Sequence, residues 1–212
     1  VRELPIWFIP VHQIELGRHI ASGSFGAVYE GTWLGSKVVV KQVLTDQTDA
    51  ENRRQFQSEA DLRFSLNHDH ILKLYGACHE ERPFFVCERA TRWTLAKGAP
   101  GDLEVYSPGL RHLHDSGIVH GDLKGNNILV CDDGVKLADF GLSFRPDTAA
   151  ASNGALGAYR WKAPECLNGE SPTFASDIYS FGVCIVEALT GQVPWGNSMP
   201  EQAVRYNVTE LK

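Results

Sequence analysis

The sequence predicts an α+β fold, with strands in the first part of the chain and helices in the later part. Three patterns lead to this prediction. Short β-branched and aromatic runs alternate with glycine-containing turns before residue 90. Two apolar runs, 128–131 and 135–138, flank Asp132-Asp133-Gly134, which is a strong signal for a β-hairpin. Residues 177–189 would place apolar side chains on every side of a helix, which is typical of a buried central helix.

Local signals place the elements of the first part. Five are predicted there, namely a glycine-containing turn over 20–26, a strand over 27–33, a turn over 34–36, a strand over 38–40 and a strand over 84–87. Thr48 and Glu51 have the spacing of a capping box, so we expect a helix from there to about Leu66.

The composition fits a soluble globular protein and argues against several function classes. The 212 residues suit one domain, with 43% hydrophobic and 22% charged residues. A net charge of -6 argues against a nucleic-acid binder or a membrane-surface binder, since both need a basic face. No apolar run is long enough to span a bilayer. The five cysteines are scattered and never spaced as C-x-x-C, so we expect reduced thiols and a cytoplasmic location.

Three polar residues converge at one end of the predicted hairpin. Asn127 enters its first strand and Asp139 leaves its second, so antiparallel pairing brings both to the same end. Asp122 precedes Asn127 in the loop that leads to this end. Carboxylate and amide oxygens are ligands that Mg²⁺ prefers, with phosphates completing the shell. The arrangement therefore suits phosphoryl transfer, in which positioning and charge neutralisation supply most of the catalysis.

Four segments, in the family's order along the chain, resemble the motifs of the protein kinase family. Val38-Val39-Val40-Lys41 resembles the lysine strand, and residues 120–127 (HGDLKGNN) resemble the catalytic loop. Asp139-Phe140-Gly141 resembles the metal-binding triplet, and Ala163-Pro164-Glu165 resembles the motif that closes the activation segment. Each motif alone is weak, but together they identify the family.

Two longer segments narrow the resemblance. Residues 157–165 and 177–182 are similar to those of the tyrosine-kinase-like group of serine/threonine kinases. The resemblance implies a two-lobed, protein kinase-like α+β fold, with a strand-rich N-lobe and a mainly helical C-lobe. We expect a single domain over 1–212. Its N-lobe would cover about 12–87, its hinge about 88–91 and its C-lobe about 92–212. The C-lobe is expected to be incomplete at its C-terminal end.

The resemblance implies roles for the catalytic and metal-binding residues. Asp122 would accept or orient the proton of the substrate hydroxyl, and Lys124 would neutralise the γ-phosphate of ATP. A lysine at that position is typical of serine/threonine rather than tyrosine kinases. Asn127 and Asp139 would hold Mg²⁺ against the phosphates.

The resemblance also implies an ATP-binding set. Lys41 would contact the α- and β-phosphates and pair with Glu59 on the predicted helix. The phosphate loop would consist of Ala21, Ser22, Gly23, Ser24, Phe25, Gly26, Ala27 and Val28. Val28, Val39 and Leu129 would sandwich adenine. Cys87 would gate the back of the pocket, and Glu88 and Ala90 would offer backbone hydrogen bonds to adenine.

The catalytic segments depart from the family pattern at two positions. Gly121 stands where many kinases have an arginine that pairs with a phosphate on the activation segment. We therefore expect an activity that does not depend on phosphorylation of Thr148 or Ser152. Ala158 replaces a threonine or serine whose hydroxyl would support the catalytic loop, so one support of that loop is expected to be missing.

Other departures concern the scaffold. Pro108 falls where a long buried helix is expected, and proline inside a helix costs about 3 kcal/mol or more, so this helix should be truncated or broken. Arg63 stands four residues after Glu59, where an apolar packing residue is expected. The sequence ends at Lys212, before the last helices of the family's C-lobe, so we expect a marginally stable domain.

The leading functional hypothesis is an ATP- and Mg²⁺-dependent protein kinase that transfers phosphate to serine or threonine hydroxyls of protein substrates in intracellular signalling. The alternative is a catalytically weak kinase-like module that binds nucleotide or a partner protein as a scaffold. A GTP- or dinucleotide-binding domain is disfavoured because the chain has no G-x-x-x-x-G-K-[ST] loop. The sequence leaves the substrate protein and the oligomeric state open.

Overall fold

The computed structural model forms two compact units, Val1–Ala90 and Thr91–Lys212. Each is described by itself. The structure describes residues 3–23, 26–44, 49–80, 82–90, 93–94, 107–131, 134–147 and 157–211. Within these ranges, no helix has both the length and the apolar character that crossing a membrane requires.

The first unit is built on a five-stranded antiparallel sheet with the order β1-β2-β3-β5-β4. Its strands are β1 (Ile14–Gly23), β2 (Gly26–Trp33), β3 (Ser36–Val43), β4 (Leu74–Cys78) and β5 (Phe84–Cys87), and a short 3₁₀ turn, Val11–Gln13, precedes them. The strands predicted over 27–33, 38–40 and 84–87 are confirmed.

The turn predicted over 20–26 is wrong for its first part. β1 continues to Gly23 because its residues pair in register with β2, from Ala21 opposite Val28 to Gly23 opposite Gly26. Ser24 and Phe25 lie outside the described residues. The next turn is narrower than predicted, since Leu34 and Gly35 form it with φ of 49° and 78°, while Ser36 already belongs to β3.

Helix α1 (Ala50–Ser65) packs on one face of this sheet. Asp49 caps it by accepting a hydrogen bond from the backbone N–H of Glu51. Thr48, the predicted cap, lies outside the described residues. Because β5 runs between β3 and β4 and is buried throughout, its alternating side chains serve two cores: Phe85 packs with α1, and Phe84 packs on the opposite face.

An N-terminal segment closes the edge of the sheet beside β4. The backbone of Trp7 and Ile9 exchanges hydrogen bonds with Ala77, at 2.8 and 2.9 Å. The side chain of Trp7 is 2% exposed, and its indole N–H donates to Asp61 of α1 at 2.6 Å. A Cβ at Gly76 would lie 2.5 Å from the carbonyl oxygen of Trp7, so the segment can lie this close only over glycine. The segment therefore joins α1 to the sheet.

The second unit is mainly helical and contains a small three-stranded sheet with the order β6-β7-β8. Its elements are β6 (Trp93–Thr94), α2 (Ser107–Asp115), β7 (Ile128–Cys131), β8 (Gly134–Leu137), α3 (Pro164–Leu167), α4 (Phe174–Thr190) and α5 (Glu201–Thr209), with 3₁₀ turns at Gly125–Asn127 and Tyr159–Trp161. The predicted hairpin is confirmed, although Asp132 and Asp133 lie outside the described residues. Pro108 stands in the first turn of α2, where proline is tolerated.

Helix α4 is confirmed, but it is not buried on all sides. Thr173 and Ser176 form a reciprocal capping box at its start, and Gly191 ends it with a φ of 64°. Ile178 and Leu189 are 56% and 67% exposed. The buried face of the helix carries three polar residues, Ser176, Asp177 and Glu187.

Trp7 gives a prediction for the stability of the first unit. Trp7→Ala should lower the free energy of unfolding by about 3–5 kcal/mol, because it leaves a cavity between α1 and the sheet. Trp7→Phe keeps most of the ring but removes the N–H that Asp61 accepts, and should cost about 1–2 kcal/mol. Urea denaturation measures both values.

Trp195→Phe is the matched control, because Trp195 is 40% exposed and should change the free energy of unfolding by less than about 0.5 kcal/mol. Equal losses of unfolding free energy in Trp7→Phe and Trp195→Phe would contradict the role given to the indole N–H of Trp7.

Candidate active site

The predicted phosphate-loop residues lie on the first hairpin of the first unit. Ala21, Ser22 and Gly23 end β1 and pair with Val28, Ala27 and Gly26, which begin β2. A Cβ at Gly26 would overlap the carbonyl oxygen of Gln42 on β3, so this position requires glycine. The tip of the hairpin, Ser24 and Phe25, belongs to the undescribed residues.

Lys41 lies on β3, directly opposite Val28 on β2 and Phe85 on β5. Val39, two residues earlier, lies opposite Cys87. Residues directly opposite in an antiparallel ladder, and residues two apart on one strand, project from the same face of a sheet. The four predicted nucleotide contacts Val28, Val39, Lys41 and Cys87 therefore share the face on which α1 packs.

Glu59 lies on the inner side of α1 and is 14% exposed. Its Oε1 accepts a hydrogen bond from Nη1 of Arg63 at 3.3 Å. The pairing of Glu59 with Lys41 stays a prediction. Glu88, just after β5, donates its backbone N–H to the carbonyl of Lys73, so its own carbonyl is the backbone group that it can offer to adenine. Ala90 is half-buried at the end of the unit.

Asp122 is the centre of a hydrogen-bond network in the second unit. Its Oδ2 accepts from Nζ of Lys124 at 2.6 Å and from Nδ2 of Asn127 at 3.2 Å. Its Oδ1 accepts from the backbone N–H of Ala158 at 2.8 Å. The carboxylate is 4% exposed, so three donors fix it in one orientation in a mostly dry site.

The support expected to be missing at Ala158 is a side-chain hydroxyl, and the residue indeed has none. The methyl side chain cannot bind Asp122, but the backbone of the same residue does. Gly157 makes this approach possible, because its φ is 96° and a Cβ there would lie 2.6 Å from Oδ1 of Asp122. The loop is therefore held by main chain where we expected a lost hydroxyl.

The hairpin brings Asn127 and Asp139 to one end, as the sequence predicts. Ala138 donates its N–H to the carbonyl of Asn127 at 2.8 Å, and Asp139 follows directly. Nδ2 of Asn127 donates to the backbone and side chain of Asp122, which leaves Oδ1 as its ligand atom. Asp139 has a φ of 62°, a costly conformation for a non-glycine residue and one that clusters at functional sites. An amide oxygen and a carboxylate fit Mg²⁺ with few protein ligands.

Leu129, the remaining member of the predicted ATP-binding set, lies two residues after Asn127 on β7. It pairs with Lys136 of β8 and with Thr94 of β6, and its side chain is half-buried.

The backbone before Asp122 is held by a buried aspartate of α4. Asp177 is 2% exposed and accepts the N–H of His120 through Oδ2 at 2.7 Å and the N–H of Gly121 through Oδ1 at 3.0 Å. Gly121 has a φ of 75°, and a Cβ there would lie 2.9 Å from the carbonyl oxygen of Leu142. Glycine therefore adopts this turn without the strain that a side chain would bring.

His120 is fully buried beside this contact. Its Nδ1 accepts from the N–H of Asp122 at 3.3 Å, and its Nε2 lies 3.1 Å from the carbonyl oxygen of Ala138. The ring therefore packs between the loop and the hairpin.

A second buried carboxylate of α4 holds the backbone after Asp122. Oε2 of Glu187 accepts from the N–H of Gly125 at 3.2 Å and from the indole N–H of Trp161 at 2.8 Å. Glu187 is 3% exposed, and burial raises the pKa of its carboxyl above the ordinary value, although both hydrogen bonds act in the opposite direction. Nothing in the sequence analysis identified this residue or Asp177 as part of the site.

Lys162 is a further charged residue that the sequence analysis missed. It is buried, and this desolvation lowers the pKa of its ammonium, while electrostatic interactions with Cys166 and Asp122 act in the opposite direction. Its electrostatic interaction with Asp122 places a second cation, besides Lys124, in the surroundings of that carboxylate.

Two family comparisons agree with this geometry. The sequence profile of the protein kinase domain matches residues 103–212, and that of the protein tyrosine and serine/threonine kinases matches residues 14–97. The chain belongs to the protein kinase family. The predicted kinase α+β fold is thereby confirmed.

Known kinases are similar to nearly the whole of this kinase domain. The serine/threonine/tyrosine-protein kinase HT1 of Arabidopsis thaliana is 32% identical over 93% of the chain, and the serine/threonine-protein kinase CTR1 of the same plant is 35% identical over 92%. The probable serine/threonine-protein kinase drkD of Dictyostelium discoideum is 33% identical over 94%. The chain spans 55%, 26% and 17% of the lengths of these three proteins. The similarity agrees with the predicted tyrosine-kinase-like group.

Glu187 gives a pH-dependent prediction. Because its pKa is raised in the folded kinase domain, the folded chain binds the proton more tightly than the unfolded chain. Stability should therefore fall as the pH rises from the ordinary glutamate pKa through the raised value. Glu187→Gln keeps an acceptor oxygen for both N–H groups and lacks this titration. The wild type should lose stability relative to Glu187→Gln in urea unfolding as the pH rises above the ordinary glutamate pKa of about 4.

Glu187→Leu is the companion variant. It leaves the N–H groups of Gly125 and Trp161 without their acceptor and should cost about 2–4 kcal/mol of unfolding free energy at every pH. A difference between the wild type and Glu187→Gln that stays constant as the pH rises would contradict the raised pKa.

Proposed function

We propose that this kinase domain transfers the γ-phosphate of ATP to serine or threonine hydroxyls of protein substrates. The observation that carries the proposal is the arrangement around Asp122, whose carboxylate is fixed by Lys124, Asn127 and the backbone of Ala158. A carboxylate held in this way is suited to orient an acceptor hydroxyl and to take its proton.

The proposed reaction is an in-line displacement. The acceptor oxygen forms a bond to the γ-phosphorus while the bond from that phosphorus to the bridging oxygen breaks, and ADP leaves with the electron pair. The hydroxyl proton passes to Asp122. Lys124, already hydrogen-bonded to Asp122 at 2.6 Å, supplies positive charge for the transferred phosphoryl group.

The nucleotide contacts are proposed residue by residue from the family resemblance. Lys41 would bind the α- and β-phosphates, and Glu59 would orient it, as the family resemblance implies. Asn127 and Asp139 would hold Mg²⁺, which neutralises phosphate charge when bound. The oxygen ligand of Asn127 and the left-handed backbone of Asp139 support this assignment.

Serine/threonine specificity is proposed from Lys124 and from the relatives, two of which are named serine/threonine kinases. A role in cytoplasmic signalling is proposed as well. All five cysteines are buried and outside any disulfide, which agrees with a reducing compartment.

Phosphate transfer from labelled ATP with Mg²⁺ to a generic protein substrate tests the proposal. Asp122→Asn should lower the rate by about 10²- to 10⁴-fold, because it removes the proton acceptor. Lys41→Met should lower the rate strongly as well, because it removes the phosphate contact. Lys37→Met, an exposed lysine of the same strand, should leave the rate unchanged. Acid hydrolysis of the product should release phosphoserine and phosphothreonine.

Equal amounts of transferred label with the wild type and with Asp122→Asn would contradict the proposed phosphotransferase activity. Stabilisation of the wild type by ATP without any transfer would instead favour the alternative of a nucleotide-binding scaffold.

A further inference from the structure

The buried side of helix α1 contains a charged residue. Its buried members are Phe56, Ala60 and Arg63, which recur at the spacing of one helix face. Arg63 is 3% exposed, although arginine is almost never buried unless it is paired. An apolar residue would fill this place at lower desolvation cost, so the guanidinium needs an explanation.

The guanidinium joins three groups of the first unit. Its Nη1 donates to Oε1 of Glu59 at 3.3 Å, and its Nη2 donates to Sγ of Cys87 at 3.1 Å. Its Cζ lies 5.0 Å from the centre of the Phe85 ring, within the range of a cation–π contact. That ring is stacked on Phe56 of the same helix, with centroids 4.5 Å apart. Arg63 therefore links α1 to strand β5 through its hydrogen bond to Cys87 and its cation–π contact with Phe85.

Two of these groups belong to the proposed nucleotide site, Glu59 as the partner of Lys41 and Cys87 as the rear gate. Phe85 is the register partner of Lys41 across β3 and β5, so both side chains project from the sheet face that α1 covers. Lys41, Glu59 and Arg63 thus share one layer of the unit. A carboxylate accepts hydrogen bonds at both oxygens, so Glu59 can serve both cations at once.

We infer that Arg63 is a positioning residue of the nucleotide site. It holds the Glu59 carboxylate at Oε1 and turns the second oxygen toward Lys41, while its other nitrogen fixes the thiol of Cys87. The planar fork of arginine suits this double task, whereas the ammonium of lysine is a single point of charge. The inference rests on the proposed function, because it assigns Arg63 to the same nucleotide site.

A positioning role and a packing role of Arg63 predict different effects of its replacement on catalysis. An arginine that only fills the core could be exchanged for methionine with little change in catalysis, even where the loss of one partner of the ion pair with Glu59 lowers the stability. A positioning arginine could not, because Glu59 would lose its orientation. The energetic link to Glu59 should also be visible without turnover.

The experiment uses the intact chain and the variants Arg63→Met, Arg63→Lys, Glu59→Gln and Arg63→Met/Glu59→Gln. Arg54→Met is the matched control, because Arg54 lies on the same helix and its side chain is 78% exposed. For each variant, kcat and KM for ATP, the affinity for Mg²⁺-ADP by calorimetry and the melting temperature are measured.

Arg63→Met should lower kcat/KM for ATP at least about tenfold and weaken Mg²⁺-ADP binding, and Arg63→Lys should lie between Arg63→Met and the wild type. Arg54→Met should match the wild type. Glu59→Gln alone should lower the melting temperature by about 5 °C or more, because it leaves the buried guanidinium without its counter-charge. In the Arg63→Met background, Glu59→Gln should have a clearly smaller effect on both melting temperature and nucleotide affinity.

Wild-type kcat/KM in Arg63→Met or in Arg63→Lys would overturn the inference. Independent, additive effects of Arg63→Met and Glu59→Gln on nucleotide affinity would overturn it as well. A wild-type chain that binds Mg²⁺-ADP but transfers no phosphate would contradict the proposed function alone, since the affinity and melting cycles do not need turnover.

Discussion

The Asp177 carboxylate is the constraint on which the catalytic loop depends. Both its oxygens are occupied by consecutive backbone N–H groups, those of His120 and Gly121, and Oδ2 also lies 3.0 Å from Nε2 of His114. Two consecutive N–H groups can point at one carboxylate only if the backbone turns, and Gly121 supplies that turn with its positive φ. Burying the charge is costly, and these charge-assisted bonds offset the cost.

Helix α4 holds the loop at both ends, since Asp177 binds the backbone before Asp122 and Glu187 binds it at Gly125. Asp122 lies between these two anchored positions, and the backbone N–H of Ala158 binds its carboxylate. The Asp122 carboxylate is therefore fixed by Lys124, Asn127 and Ala158, and the backbone on either side of it is held by α4. In the first unit, Trp7 and Arg63 have a comparable task, because both join α1 to the sheet beside Glu59.

The parts of the fold that the sequence predicted well have strong local signals. The hairpin around Gly134, which brings Asn127 and Asp139 to one end, follows from turn residues between two apolar runs. Asp177 and Glu187 were missed because apolar periodicity marks α4 as a buried helix without showing that its buried face is partly polar. Their partners are backbone N–H groups and ring nitrogens far away in sequence, which no residue pattern reveals.

The same limit applies at Ala158, where side-chain chemistry predicts the lost hydroxyl but not the main-chain contact with Asp122. Arg63 stood out in the sequence as a departure, but its contact with Cys87 depends on the pairing of β3 with β5 and on how α1 packs there.

The most direct test of this account is kcat for phosphate transfer in Asp177→Asn. The amide keeps one acceptor oxygen but turns an N–H₂ group toward the second backbone N–H, so the loop should lose its fixed geometry. We predict a fall in kcat of about a hundredfold in a chain that still folds, while the exposed control Asp115→Asn keeps the wild-type value. A folded Asp177→Asn chain with the wild-type kcat would contradict the central claim.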